Sequence, residues 1–307
     1  MKEIINNLKK FIGMHSMAHW LSIVLFCIVT LCVNFTLDVE HGFRKLDERS
    51  EFLGFFLMYL LHSGYAYMVY SYFKKDFSIW RKPGFIFLFI AASAIFAFRA
   101  VANGHYELIN QYSSPEFSDI NQAVYNDLFR LSYLMVPVTI IWYLMDRQQP
   151  VYGFSLKKHH TKIYVILLLL MVPLIIGASF LSDFLDYYPR VGKLDRYAGT
   201  AKDKWLFELF YGMDFISIEY FFRGFMVMAF ARYVGIYAVL PMAVFYMSIH
   251  FGKPLGEAIS SFFGGTILGV ISFHTGSIFG GIMVHVGIAW LMELGAYIGN
   301  LVKDGLK

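Results

Sequence analysis

The chain has 307 residues, of which 58% are hydrophobic and 16% charged, with a formal net charge of +4 at neutral pH. Soluble domains sit near a quarter charged, so this balance argues against a water-soluble protein and for a polytopic membrane protein. The basic residues fall between apolar segments rather than along one stripe, which sets aside a nucleic-acid-binding function.

A helix needs about 20 residues to cross a bilayer. In chain order the apolar runs are 17–37, 52–73, 84–103, 128–145, 163–182, 205–231, 236–251, 255–273 and 277–301. They predict an all-α, polytopic helix bundle with about eight or nine membrane segments. The first run is too long for a signal-peptide core and reads as a retained anchor. It holds both cysteines, Cys27 and Cys32, which read as buried apolar residues rather than disulfide partners. Gly252 and Pro254 leave little room for a turn between the seventh and eighth runs, so a re-entrant or kinked element is the alternative there.

The stretches between the runs carry the topology signal. Lys2, Lys9, Lys10, Lys74, Lys75, Arg81, Lys82, Arg147, Lys157, Lys158 and Lys162 fall on one side, which puts the N-terminus in the cytoplasm. The opposite loops of that half carry only Arg44, Lys45 and Arg49, and the 104–125 stretch, with no Lys or Arg, reads as an outside loop. The 183–204 loop breaks the rule, with Arg190, Lys193, Arg196, Lys202 and Lys204 on the expected outer side. Residues 146–162 read as a linker between N-terminal membrane helices, 1–162, and a second membrane core, 163–307. His159 and His160 in it read as a solvated basic stretch rather than a metal pair. Gly264, Gly265 and Gly269 form a small-residue face suited to close helix packing. His62 and Arg99 read as polar contacts within the bundle.

The chemistry concentrates in the later runs. Glu219 and Arg223 lie four residues apart in an aromatic-rich apolar segment, where each charge at the bilayer centre costs roughly 2.5–3.5 kcal/mol on insertion scales. An α-helix would put both on one face, together with an acidic side made by Glu208 and Asp214. His250 closes the segment Tyr246-Met247-Ser248-Ile249-His250, and His285 follows Gly280-Gly281-Ile282-Met283-Val284. Two histidines and a carboxylate on neighbouring helices can bind a metal or share a water that one of them deprotonates. The His-Glu-x-x-His spacing of zinc-protease helices is absent.

The Glu-x-x-x-Arg-Gly helix, the aromatic-x-x-x-His segment and the Gly-rich His segment, in this order, resemble the CPBP family. These are the CAAX-protease and bacteriocin-processing, or Abi, intramembrane proteases, related to type II CAAX prenyl endopeptidases. The resemblance covers about 205–295 and implies catalytic roles for Glu219, Arg223, His250 and His285. Glu219 would deprotonate water with His250, His285 would help hold the oxyanion, and Arg223 would orient Glu219. Three positions depart from the family pattern: Ile218 stands where a first glutamate is usual, Tyr246 replaces phenylalanine, and Ala289 replaces a polar residue. Asp214, Glu257 and Glu293 are candidates for the missing acid, with Glu219 itself the simplest replacement.

The resemblance implies an endopeptidase acting on a membrane-embedded or lipidated peptide, with prenylated peptides among the candidates. It also implies a multi-pass protein of a prokaryotic cell membrane. The alternative is a non-catalytic membrane scaffold or immunity-type protein of the same fold, suggested by Ile218 and Ala289. A weaker third reading is a transporter with a proton path along the acidic helix. No cofactor is expected and the site reads as metal-independent; a zinc site built from Glu219, His250 and His285 is the alternative. The lipid bilayer is the other expected partner.

Overall fold

The computed structural model describes residues 2–112, 118–155, 161–190 and 201–305. Among these residues every regular element is helical. The elements are α1 (Lys2–Gly13), α2 (Met17–Leu37), α3 (Val39–Phe43), α4 (Glu48–Lys74), α5 (Pro83–Val101), α6 (His105–Tyr112) and α7 (Ser118–Met145). They continue with α8 (Thr161–Ala178), α9 (Ser182–Tyr187), α10 (Ala201–Glu219), a π-helical segment (Tyr220–Ala229), α11 (Phe230–Val234), α12 (Val239–Ser248), α13 (Leu255–Thr275) and α14 (Phe279–Gly305). Eight helical stretches among the described residues are long and apolar enough to cross a membrane. The protein is an all-α, multi-pass integral membrane protein.

Local chemistry explains the main boundaries. Ser16 caps α2 by accepting from the His19 amide at 3.2 Å, and Asp47 caps α4 by accepting from the Arg49 and Ser50 amides. Asp38 takes a left-handed backbone, φ 52°, and ends α2 before α3 begins. The 104–125 stretch, expected as a loop, is helical over α6 and again from the start of α7. Of the two cysteines, Cys27 is buried as expected, whereas Cys32 is exposed on α2; both are free thiols.

Compactness divides the chain into two units that interleave along the sequence. The first comprises Met1–Val101, Pro137–Lys158 and Tyr220–Ile278; the second comprises Ala102–Val136, His159–Glu219 and Phe279–Lys307. His159 and His160 lie outside the described residues.

The first unit has an aromatic core. Tyr59 stacks on Phe245 and meets Phe96 edge-on, while Tyr67 stacks on Phe230. Its chain folds back near Gly235, which has φ 59°. Phe222 and Tyr246, 24 residues apart in sequence, consequently bring their rings to 4.9 Å. The apolar stretch Lys202–Ser248 is therefore not one straight rod, in keeping with two separate runs there. The seventh run is shorter than expected: α12 has only 10 residues, about 15 Å of helix, too little to cross a bilayer alone. α12 packs on α13 where Gly265 and Gly269 meet Tyr246, Ala243, Met242 and Val239 without intervening side chains. Gly264 has open space beside it, so two of the three expected glycines serve the packing.

The second unit joins α8, α9, α10 and α14. Ile175, Phe184, Tyr188 and Ala296 form one core cluster; Phe207, Tyr211 and Ala289 form another. Leucines 169, 170 and 174 of α8 face outward, as expected of a lipid-facing helix.

Candidate active site

Within the second unit, α10 and α14 run antiparallel. Glu219, at the end of α10, meets His285 early on α14; Glu208, earlier on α10, accepts from Trp290 Nε1 through its backbone carbonyl at 3.1 Å. The rungs between them are Gly212 against Trp290 and Phe215 against His285, with ring centroids 4.4 Å apart in the latter. Small residues at the start of α14 permit this approach. A Cβ at Gly280 would overlap the Tyr164 ring of α8, and one at Gly281 would collide with Glu219 Oε2.

The central contact is a hydrogen bond of 2.9 Å between His285 Nδ1 and Glu219 Oε1. The Glu219 side chain is fully buried and that of His285 is 13% exposed. One proton lies between the two atoms, whichever partner is written as its owner. A carboxylate on Nδ1 fixes the ring orientation and commits Nε2 to whatever else the imidazole contacts.

Winding changes immediately after Glu219. Residues 220–229 are π-helical, with i→i+5 hydrogen bonding, a rare geometry found disproportionately at functional sites. The α-helical spacing assumed for Glu219 and Arg223 therefore stops at Glu219. The π-helical segment is almost wholly buried, with Tyr220, Phe221, Phe222 and Phe225 at 0% exposure. Gly224 admits the Tyr152 carbonyl, which would lie 2.6 Å from an added Cβ.

Arg223 and His250 belong to the first unit, and both gather on Tyr246. The Arg223 guanidinium sits 4.2 Å from the Tyr246 ring centroid, a cation–π contact in a site where the arginine is 1% exposed. His250 Nδ1 hydrogen-bonds the Tyr246 carbonyl at 2.8 Å. The other ring nitrogen, Nε2, lies 3.9 Å from Glu257 Oε1, which in turn accepts from Lys253 Nζ at 2.7 Å. The aromatic residue opening the second motif is thus the platform for the arginine of the first. The sequence marks Tyr246 only as a replacement for phenylalanine.

The other acids named from sequence have defined partners. Asp214 accepts from Ser217 Oγ, both through its carbonyl at 2.7 Å and through Oδ1 at 3.2 Å. Glu293 accepts the Arg190 amide at 2.9 Å and lies close enough to Glu208 for the two carboxyls to interact. Glu257 is the acid beside His250. Ile218 and Ala289 are buried, at 6% and 4% exposure, and Ala289 packs against Phe207 and Tyr211. Among the described residues no group of three or more His, Cys, Asp or Glu side chains is arranged to hold a metal ion. A catalytic zinc takes three protein ligands, so the donors present do not fit one. His62 and Arg99 are buried, His62 with Nδ1 on the Met58 carbonyl at 2.7 Å.

Residues 203–291 match the family model described as type II CAAX prenyl endopeptidase Rce1-like. Comparisons of the chain with curated proteins and with solved structures found no match. The match spans all four residues singled out above, Glu219, Arg223, His250 and His285. Residues 203–291 are thus similar to the CAAX-protease-like family.

Proposed function

We propose that the protein is an intramembrane endopeptidase that hydrolyses a peptide bond in a lipidated, prenyl-bearing peptide held at the membrane. The observation that carries this reading is the fully buried Glu219 carboxylate hydrogen-bonded to His285 at 2.9 Å inside the matched domain. A carboxylate is costly to maintain in a membrane interior, and such residues mark functional sites.

In the reaction, Glu219 takes a proton from the attacking water. His285 acts as the imidazolium: its Nδ1–H is held by Glu219 and its Nε2–H donates to the oxyanion that forms on the carbonyl carbon. The proton then passes to the departing amine, and the C–N bond breaks. His250 and Arg223 enter on the strength of the motif resemblance alone, which gives His250 a part in activating the water and Arg223 the orienting of Glu219. The Lys and Arg distribution of the first half supports an N-terminus on the cytoplasmic face.

A second reading has its own support. Ile218 and Ala289 put apolar, packed side chains where the family pattern has polar ones. A protein of this fold without turnover, acting as a membrane scaffold or immunity-type factor, accommodates them. The two separate in liposomes with a farnesylated CAAX peptide as probe. Robust cleavage by the native chain, lost in Glu219→Gln, supports the protease. Cleavage seen only after Ile218→Glu and Ala289→Asn supports the non-catalytic relative.

A further inference from the structure

His250 lies between the end of α12 and Pro254, in a short irregular turn. Its backbone is wound by His250 N–H to the Met247 carbonyl at 3.0 Å and Lys253 N–H to the His250 carbonyl at 3.0 Å. The final carbonyls of a helix have no intrahelical donors and need partners from elsewhere. For Phe251 that partner comes from 217 residues away: Asn34 Nδ2, at the end of α2, donates to the Phe251 carbonyl at 3.0 Å.

Asn34 is 4% exposed and uses its other atom as well. Its Oδ1 accepts the Glu40 amide at 3.1 Å, so the left-handed corner at Asp38 swings α3 back against it. Glu40 is then fixed from the far side. Arg44 Nε donates to Glu40 Oε1 at 3.0 Å, and Arg44 Nη1 donates to Glu51 Oε1 at 3.1 Å and to the Ala100 carbonyl at 2.6 Å. The other carboxylate oxygen lies against Gly252: a Cβ there would fall 2.6 Å from Glu40 Oε2 and 2.8 Å from Cδ. The Phe251 ring rests on the His62 imidazole, with centroids 5.3 Å apart. The turn is gripped at the carbonyl, at the glycine and at the aromatic ring, on both residues that follow His250.

We infer that Asn34 and Glu40 are positioning residues for His250, forming a clamp that sets the imidazole's place from N-terminal helices outside the matched domain. The inference deepens the proteolytic reading and rests on it for the role of His250. All the contacts lie within the first unit, and the two hydrogen bonds of Asn34 are buried, as a positional constraint in an apolar bundle has to be. Bonds through Asn34 fix the turn's carbonyl, whereas Glu40 excludes any side chain at 252. Loss of either lets His250 shift without removing it. Misplacement of a catalytic group by about 1 Å can lower turnover up to roughly 100-fold.

The test uses the full chain in lipid nanodiscs, a farnesylated CAAX peptide as probe and hydrogen–deuterium exchange over residues 249–253. Asn34→Ala is expected to speed exchange there about fivefold and to lower kcat about tenfold with KM unchanged. Gly252→Ala should lower kcat by a similar factor in the native and Glu40→Gln backgrounds. It should cause no further loss in Glu40→Ala, where the colliding carboxylate is gone; this arm serves if Asn34→Ala does not fold. Unchanged exchange in Asn34→Ala, or an equal loss from Gly252→Ala in the native and Glu40→Ala backgrounds, overturns the clamp. His250→Ala is run alongside: cleavage that survives it removes His250 from the chemistry, while the exchange result still judges the clamp independently.

Discussion

Glu219→Gln and Glu219→Ala should differ in stability although both should abolish turnover. The Gln variant keeps the volume and can still accept the His285 Nδ1 proton at the 2.9 Å contact. It loses only the charge assistance, the difference between a charged hydrogen bond of about 1.5–3 kcal/mol and a neutral one of about 0.5–1.5. A cost of about 1 kcal/mol follows. The Ala variant deletes the carboxyl and leaves a mostly buried imidazole nitrogen without its partner, and removing one member of a buried pair costs about 3–5 kcal/mol. Thermal unfolding in one detergent, with both variants and the native chain side by side, reads the order directly. Equal midpoints for Gln and Ala would refute the view that the contact holds α10 to α14. A Gln variant less stable than Ala would refute it too.

Three further outcomes follow from other contacts. Gly281→Ala places a Cβ on Glu219 Oε2; over-packing of this kind costs about 1–3 kcal/mol, and turnover should fall with it, measured as kcat in liposomes. Asp146→Ala removes the acceptor of Tyr152 Oη at 2.5 Å and of Arg232 Nη1 at 2.6 Å. About 3 kcal/mol should be lost, the low end for a buried pair because Arg232 is 27% exposed, as a lower unfolding midpoint. Burial holds the His15 imidazole below its usual value, with the positive charge of Lys74 adding to the effect. Folded His15 stays neutral where the unfolded one charges, so stability is full above about pH 6.5 and declines as pH falls toward the folded value. His15→Phe should flatten that decline in a pH series of unfolding midpoints.

Composition and apolar run lengths were enough to read an all-α membrane bundle, because a chain in lipid must satisfy its backbone internally. The runs 205–231 and 236–251 also reflect a genuine fold-back near Gly235. Hydropathy could not show that α12 is short, because the residues flanking it are just as apolar. Nor could it show helix in the 104–125 stretch, where polar residues in α6 and the start of α7 resemble a loop. Glu219 and His285 stood out singly because charge and imidazole are expensive in hydrocarbon. Their contact spans 66 residues, a distance that no local pattern encodes. The π-helical winding after Glu219 left no signal, since the aromatic residues there suit an α-helix equally well. Asn34 and Glu40 carry no sequence signal for a related reason: their partner at the His250 turn exists only once α2, α3 and α12 are packed together.

The central claim is that Glu219 and His285 form a working hydrolytic pair, and cleavage of a farnesylated CAAX peptide by purified protein in liposomes tests it most directly. The account predicts a new C-terminal carboxylate that incorporates oxygen from labelled water with the native chain, and none with Glu219→Gln or His285→Ala at matched folded amounts. Cleavage by either variant at the native rate would contradict it.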